Sequence, residues 1–456
     1  MTSAHYIQEN PDFPIALRRV VKNDYSCVGL DMLWKCLDEK EVFTFDVYST
    51  GLFPAIGRGS RVAQTSGYRA AWVRDNVHVA YAHFAGERNE AAVRCTEAIA
   101  RFYLEHVRWF SDIVEGRKSA HHPMNRPHIR FDGERLVPFS KKWPHAQNDA
   151  IGAFIWLLCR LLVNGAMKLT RPLFDLLSMM VLYLEAIQFW QDEDSGHWEE
   201  ERKISASSIG VVNAGLREYE QLRRQQAPDD SCVVSLQKID ALRQRGQAAM
   251  NHILPLECNQ REPQKKRRDD AALLFLIDPF DIVSASQSAQ IIANVERHLQ
   301  GKYGIRRYLL DSYWGPDYRI VPADKRTIDL SEGIHQRDRF AVAGKEAQWC
   351  IFDSIMSIYW GIRFKQQRES EYLMNQTVYF NRALSQLVET PSGDLQIPEA
   401  YFVENGHYVP NDHMPLQWAQ ANLWRAIAKM RESCALRNTH GASRSETIPE
   451  GGTRTD

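Results

Sequence analysis

Nine stretches of this chain repeat apolar residues at the period of an α-helix: 89–110, 149–165, 172–190, 207–224, 269–277, 286–299, 345–363, 366–388 and 415–431. That period gathers apolar side chains on one face and predicts helices there. Strand-like alternation is rare and short. The helices are separated by loops at 112–147, 191–206, 301–340 and 390–414, rich in Gly, Pro, Trp and charge. Loops of such length in a helical protein tend to carry function. Helix alternating with rich loop predicts helix pairs stacked around a ring. One mouth of that ring collects the loops, and the site is expected there.

The chain has 456 residues, 44% of them hydrophobic, enough for a large core. No Gly/Ser- or Pro-rich linker divides it, and a helical ring runs to this length as one unit. We expect a flexible N-terminus over 1–10, a single domain over 11–432, and a disordered tail over 433–456, where "LRNTHGASRSETIPEGGTRTD" is polar and aperiodic. The formal charge of -1 points to no polyanion. The basic run Lys265 to Arg268 is followed by Asp269 and Asp270, and reads as a solvated loop rather than a nucleic-acid patch. The eight cysteines are scattered, with no C-x-x-C. Cys95, Cys159 and Cys350 sit in apolar helical patterns. All eight are expected as free thiols in a cytoplasmic protein. The start "MTSAHYIQENPDFP" has no apolar segment of a signal peptide. Arg160, Asp175 and Glu185 break the most apolar stretches, so none reaches the ~20 residues of a membrane span.

Four loop segments combine aromatics with paired ionic groups. In "GYRAAWVRDNVHVAY" (67–81), Arg74 and Asp75 stand where a helix begins. The pair can bind vicinal hydroxyls, Arg donating and Asp accepting; the plainer reading is a helix cap by Asp75 with an ion-pairing Arg. In "KKWPHAQND" (141–149), Trp143 can stack on a sugar ring or serve the core, with Asp149 capping the next helix. In "GHWEEERKISASSIG" (196–210), Trp198 precedes Glu199 and Glu200, and Ser205 to Ser208 offer caps. A solvated acidic loop is one reading; a catalytic acid raised by an apolar neighbour is the other. In "IPEAYFVENGHYVPNDHMPLQWAQANLW" (397–424) stand Glu399 and Trp418. Two carboxylates in different loops of one helical ring are what glycosyl hydrolysis requires.

"STGLFPA", "GYRAAWVRDNVH", "QNDAIG", "HWEE", "SASSIG", "RRYLLDSY", "GKEAQW" and "PLQWAQANLW" follow one another over roughly residues 10–432. In that order they resemble glycoside hydrolase family 15, the glucoamylase-like family, most nearly the branch containing the N-terminal domain of phosphorylase kinase regulatory subunits. The resemblance implies an all-α (α/α)6 barrel and an α-glucan or small α-glucoside as substrate, with no cofactor. Glu199 matches the general acid and Glu399 the general base. Arg74 and Asp75 match the pair holding the terminal glucose, and Tyr68 the tyrosine beside the reacting ring. Trp143 matches an aromatic near the leaving sugar. Arg307, with Arg306 as the second choice, matches a substrate-binding arginine, and Trp418 a pocket tryptophan. Glu200 matches a residue that binds a hydroxyl of the leaving sugar. His197 departs from the family's usual aliphatic residue.

The resulting expectation is an inverting exo-acting α-glucoside hydrolase. Trp198 supplies an apolar wall to Glu199, and Glu200 a like charge, both favouring protonated Glu199. The alternatives are a catalytically silent glucan sensor like the kinase subunits, and a hydrolase of a small disaccharide such as trehalose or isomaltose. His121, His122 and His128 cluster without metal-ligand spacing, so no metal site is expected.

Overall fold

The computed structural model describes residues 13–57, 63–225, 233–263 and 265–445. The main helices are α1 (Cys27–Glu39), α2 (Val73–Ala85), α3 (Asn89–Glu105), α4 (Asn148–Val163), α5 (Arg171–Ala186), α6 (Ala206–Gln225), α7 (Leu236–Ile253), α8 (Ala285–Asn294), α9 (Phe352–Gln367), α10 (Ser370–Leu384) and α11 (Gln417–Ser445). A 3-10 segment, Ala271–Leu276, lies between α7 and α8. In the order α2, α4, α6, 3-10 segment, α9 and α11, each packs on the next, and α11 returns to α2. A second ring lies outside: α3 on α2, α5 on α4, α7 on α6, α8 on the 3-10 segment, α10 on α9, and α1 on α11. The architecture is the expected all-α (α/α)6 barrel.

Side-chain pattern sorts the rings. Inner α4, "NDAIGAFIWLLCRLLV", is buried almost all round, and helices apolar on every side belong inside. Outer α3 buries one stripe, including Cys95, Ile99 and Phe102. Glycines bring α4 and α6 together: a Cβ on Gly215 would stand 2.5 Å from the Gly152 carbonyl oxygen. Residues 269–277 form a 3-10 turn rather than an α-helix. The Asp270 side chain accepts from the N–H of Ala272 and from the Trp198 indole, while residues 271–276 are all buried.

Three helices go beyond the nine expected stretches: inner α2, of which the sequence marks only the start at Arg74 and Asp75, and outer α1 and α7. The two outer ones share a pattern. Each carries a narrow apolar stripe, such as Leu30, Leu33 and Leu37 on α1. Serine caps start both: Ser26 accepts from the N–H of Gly29, and Ser235 from that of Lys238. At the chain end, α11 runs through the region expected to be disordered from 433, as far as Ser445. Met430 and Cys434 are buried, and Arg437 donates to the Tyr25 carbonyl, which docks this helix on the N-terminal region. The expected flexible 1–10 and residues 446–456 lie outside the described residues.

Short strands hold the loops. β1 (Ala71–Trp72), β2 (Arg130–Asp132) and β3 (Val137–Pro138) form one antiparallel sheet, with Trp72 opposite Arg130. β4 (Gln348–Trp349), β5 (Ala400–Glu404) and β6 (His407–Pro410) form another, with Trp349 opposite Ala400. The helix expected from 345 therefore begins at Phe352, after β4, and the loop at 390–414 contains a hairpin. Cys27, Cys36, Cys95, Cys159, Cys258, Cys350 and Cys434 are free thiols; Cys232 lies outside the described residues. No helix among the described residues is long and apolar enough to cross a membrane.

Candidate functional site

The N-termini of the inner helices open on one cavity of about 110 Å³. Tyr68, Arg74, Asp75, Trp143, Trp198, Glu199, Glu200, Arg307, Glu399 and Trp418 all line it. An apolar cavity of ~150 Å³ accepts a benzene ring, so the free space is on the scale of one ring rather than an extended chain. Helix N-termini carry partial positive charge, which suits a mouth crowded with carboxylates. Thr327, Ile328 and Leu330 form part of its wall. They belong to a segment fixed at several points: Arg326 pairs with Asp412, Lys142 with Glu332, and Arg337 with Glu200.

Arg74 and Asp75 share the cavity, as expected, and differ in their partners. Arg74 donates to Asp149 at 2.5 Å and to Glu199 at 3.2 Å, and also reaches Gln147. Neighbouring residues on a helix point in different directions, so the two side chains reach the cavity with different surroundings. Asp149 is thus an ion-pair anchor in the first turn of α4 rather than its cap; the N-cap position belongs to Gln147. The N-cap position of α2 is Trp72, with Asp75 in the first turn. Among the described residues no other side chain donates to Asp75. Burial pushes its carboxyl up, Arg74 opposes, and the charges of Glu199 and Glu399 push further, to about 7.

Glu199 follows the 3-10 turn Gly196–Trp198 with φ +58°, a left-handed conformation that non-glycine residues adopt rarely. The chain reverses there, and Glu199 and Glu200 meet opposite surroundings. Burial raises the Glu199 carboxyl above its usual range despite Arg74, Arg130 and hydrogen bonds from Trp72 and Gln147. For Glu200, burial is overcome by Arg307, Arg337 and Arg267, and its carboxyl is held at about 2. Arg307 lies 2.9 Å and Arg337 2.6 Å from its Oε1, and the Tyr308 hydroxyl donates to its Oε2. The expectation that Glu200 adds a like charge to Glu199 therefore fails: two arginines neutralise it.

Glu399 immediately precedes β5. Its Oε1 accepts from the Tyr68 hydroxyl at 2.6 Å; its Oε2 accepts from Asn411 at 3.0 Å and lies 2.9 Å from Nδ1 of His413. Tyr68 also meets the hydroxyl of Tyr313 at 2.7 Å. Trp198 is pinned by its indole N–H to Asp270 at 2.8 Å. Trp143 carries the Arg130 guanidinium 4.1 Å from its ring centre, so one face is occupied. Trp418 stacks on His78. Arg307 is engaged by Asp311 as well as Glu200. Arg306 is not among the cavity residues; it pairs with Glu346 and donates to backbone carbonyls.

Sequence reading missed several neighbours. Asn411 and His413 lie in the quoted "VPNDHMP", and Tyr313 in "LLDSYWG", but nothing in those strings marks a carboxylate holder. Arg130 and Arg337 carry no local signal at all. The histidine cluster disperses: His121 and His122 are exposed, while His128 is buried between Trp109 and His145. Among the described residues no group of three or more His, Cys, Asp or Glu side chains is arranged to hold a metal.

Comparison with known proteins places this geometry. The model of the family "Glycosyl hydrolases family 15" matches residues 43–421. A probable phosphorylase b kinase regulatory subunit alpha of Drosophila melanogaster is 26% identical over 386 residues, covering 78% of this chain and 28% of that protein. The chain thus spans less than a third of that relative's length. Among solved structures, a glycosidase variant aligns with a TM-score of 0.65 at 15% identity, over 89% of this chain and 99% of its own. A glucoamylase from Saccharomycopsis fibuligera aligns with a TM-score of 0.58 at 12% identity, over 91% and 97%. At these identities the structures speak for the fold alone, whereas the family model spans most of the sequence. The chain belongs to glycosyl hydrolase family 15.

Proposed function

We propose that the cavity hydrolyses an α-glucosidic bond at a non-reducing end, with inversion. The observation that carries this reading is the pair Glu199 and Glu399, two carboxyls on one cavity held by different surroundings. Burial favours the protonated form of Glu199, as a proton donor needs. Glu399 is gripped by three hydrogen-bond partners, which orient it as an acceptor. In the reaction Glu399 takes a proton from water, and the water oxygen bonds to C1. The C1–O bond breaks, and its electron pair goes to the leaving oxygen, which receives the proton of Glu199. Asp75, to which no side chain among the described residues donates, accepts a sugar hydroxyl, while Arg74 steadies Glu199. Trp143 and Trp418 wall the ring. Glu200 is engaged by Arg307 and Arg337, so its role is to hold that wall rather than to bind hydroxyls freely.

The small free space beside the wall of Thr327, Ile328 and Leu330 supports short glucosides, trehalose or isomaltose among them, over long chains. A second reading is a silent glucan-binding module, favoured by the relative named as a kinase regulatory subunit. The seven described free thiols support a reducing, cytoplasmic setting. The balanced charge supports a sugar ligand without a nucleic-acid partner. Incubation with maltose, maltooligosaccharides, isomaltose and trehalose tests the proposal. Released glucose supports hydrolysis, and its source gives the substrate. No glucose from any of them, with binding retained, establishes the sensor instead.

A further inference from the structure

Behind Glu199 a line of polar side chains runs into the barrel wall. Arg74 joins Glu199 to Asp149. Nε2 of His197 stands 3.7 Å from the same Asp149 oxygen. Its Nδ1 is 3.3 Å from the Ser207 hydroxyl, and that hydroxyl is 2.5 Å from Oε1 of Glu257. The Ser207 N–H donates to the other Glu257 oxygen at 3.2 Å. Arg74, Asp149, His197, Ser207 and Glu257 are all more than nine-tenths buried. Stacking on Phe275, 4.9 Å away, fixes the imidazole plane.

Ser207 has one hydroxyl proton, so the line has two consistent settings. With Glu257 protonated, its O–H donates to Ser207, Ser207 donates to Nδ1, and His197 offers Nε2–H towards Asp149. In the other setting one proton has left, from Nε2 to water in the cavity that His197 lines. The Ser207 proton has moved to Nδ1 and the Glu257 proton to Ser207. Glu257 is then ionised, the imidazole is still neutral, and Nε2 turns a lone pair to Asp149. Across the 3.7 Å gap Asp149 then faces a lone pair in place of a polarised N–H and draws harder on Arg74, loosening the grip of Arg74 on Glu199.

We propose that Glu257, Ser207 and His197 form a positioning relay that sets, through Asp149 and Arg74, how firmly Glu199 holds its proton. The inference rests on Glu199 as the acid of the proposed hydrolysis. The surroundings bring the switch within reach. Burial and the neighbouring Asp270 push Glu257 up, while Ser207 and Lys203 oppose, leaving it at about 8. Burial keeps His197 neutral, with Arg74 and Lys203 adding to this and Asp149 opposing. His78 also faces His197, and Asp194 faces Asp149. As Glu257 ionises, Glu199 loses part of its cationic partner and keeps its proton to higher pH. The relay thus extends the alkaline side of activity.

Glu257→Gln tests this, because its amide donates to Ser207 at every pH and locks the first setting. The alkaline limb of kcat should fall at a pH lower by about half to one unit, with KM within about twofold of the wild type. Coincident limbs in the two proteins overturn the coupling to Glu199. The second readout needs no activity: imidazole nitrogen NMR of His197. The wild type should carry Nε2–H near about pH 6 and Nδ1–H near about pH 10, whereas Glu257→Gln keeps Nε2–H at both. Ser207→Ala, which cuts the line, should abolish the change if Glu257→Gln does not fold. One tautomer throughout in the wild type overturns the relay. Absence of glucose release with an intact tautomer switch instead counts against the hydrolase reading alone.

Discussion

The Tyr68 hydroxyl lies 2.6 Å from Oε1 of Glu399 and 2.7 Å from the hydroxyl of Tyr313. Tyr68 has one proton, and the carboxylate can only accept it. Tyr313 must therefore donate to Tyr68. Burial, with Glu399 and Tyr313 beside it, holds the Tyr68 phenol well above its usual range, so the donor persists through neutral pH.

Tyr68→Phe should consequently release one edge of Glu399 without emptying the pocket. A misaligned base slows the chemical step more than binding. We expect kcat to fall ~10- to 100-fold with KM within about threefold, measured by steady-state kinetics. Tyr313→Phe, one bond further out, should cost less. A larger loss for Tyr313→Phe would contradict this order of donors.

Asp75 gives a pH signature for binding. Its carboxyl is raised to about 7, and the ionised form is the better acceptor for a sugar hydroxyl. Affinity for glucose should therefore rise with pH through about 7 and level off above it. Asp75→Asn should flatten that dependence, as calorimetric titration across pH would read. A charge-assisted hydrogen bond contributes ~1.5–3 kcal/mol, so Asp75→Ala should weaken capture by roughly tenfold or more and lower turnover with it.

Glu200 holds two buried arginines and should matter first for stability. Removing the Glu200 charge leaves Arg337 without its carboxylate and Arg307 with Asp311 alone, which costs ~3 kcal/mol on the scale of broken buried pairs. Denaturant unfolding of Glu200→Gln should show that loss. The pH dependence has a definite sign. Glu200 is lowered to about 2, so its contribution is present above the usual glutamate range and disappears as pH falls towards 2. Asp75 and Asp194, raised to about 7, and Glu257, raised to about 8, act oppositely. Their contribution is complete at low pH and is lost as pH rises through those values. Thermal melting should accordingly peak on the acidic side of neutrality.

Inner α4 was legible because burial on all sides leaves a continuous apolar run, whereas inner α2, with Arg74, Asp75, Asn76 and His78 in its first turns, fell outside the nine stretches. Outer helices such as α7 show one thin stripe among charges, which is harder to separate from a polar loop. In the site, the aromatic–carboxylate strings named which residues reach the cavity. They could not name partners. Glu199 and Glu200 are neighbours in sequence, yet the left-handed turn at Glu199 sends one to Arg74 and the other to Arg307 and Arg337. Arg337 comes from a segment more than 130 positions further on, and only the folded ring brings it there.

The stereochemistry of the product tests the proposed mechanism most directly. Inverting glycosidases keep their two carboxyls ~6.5–9.5 Å apart to admit a water, against ~5 Å in retaining enzymes. We expect Glu199 and Glu399 to hold the wider separation in a sugar-bound crystal structure. An α-glucoside should then yield β-glucose first, visible by proton NMR before mutarotation. Glu399→Gln should keep the shape of the pocket and remove the base, lowering kcat for every substrate. Glu199→Gln removes the proton donor, so its loss should shrink for glucosyl fluoride, whose leaving group needs little protonation. That contrast separates acid from base without assuming either role. Initial α-glucose, or equal losses of the two variants on both kinds of substrate, would reject the assignment.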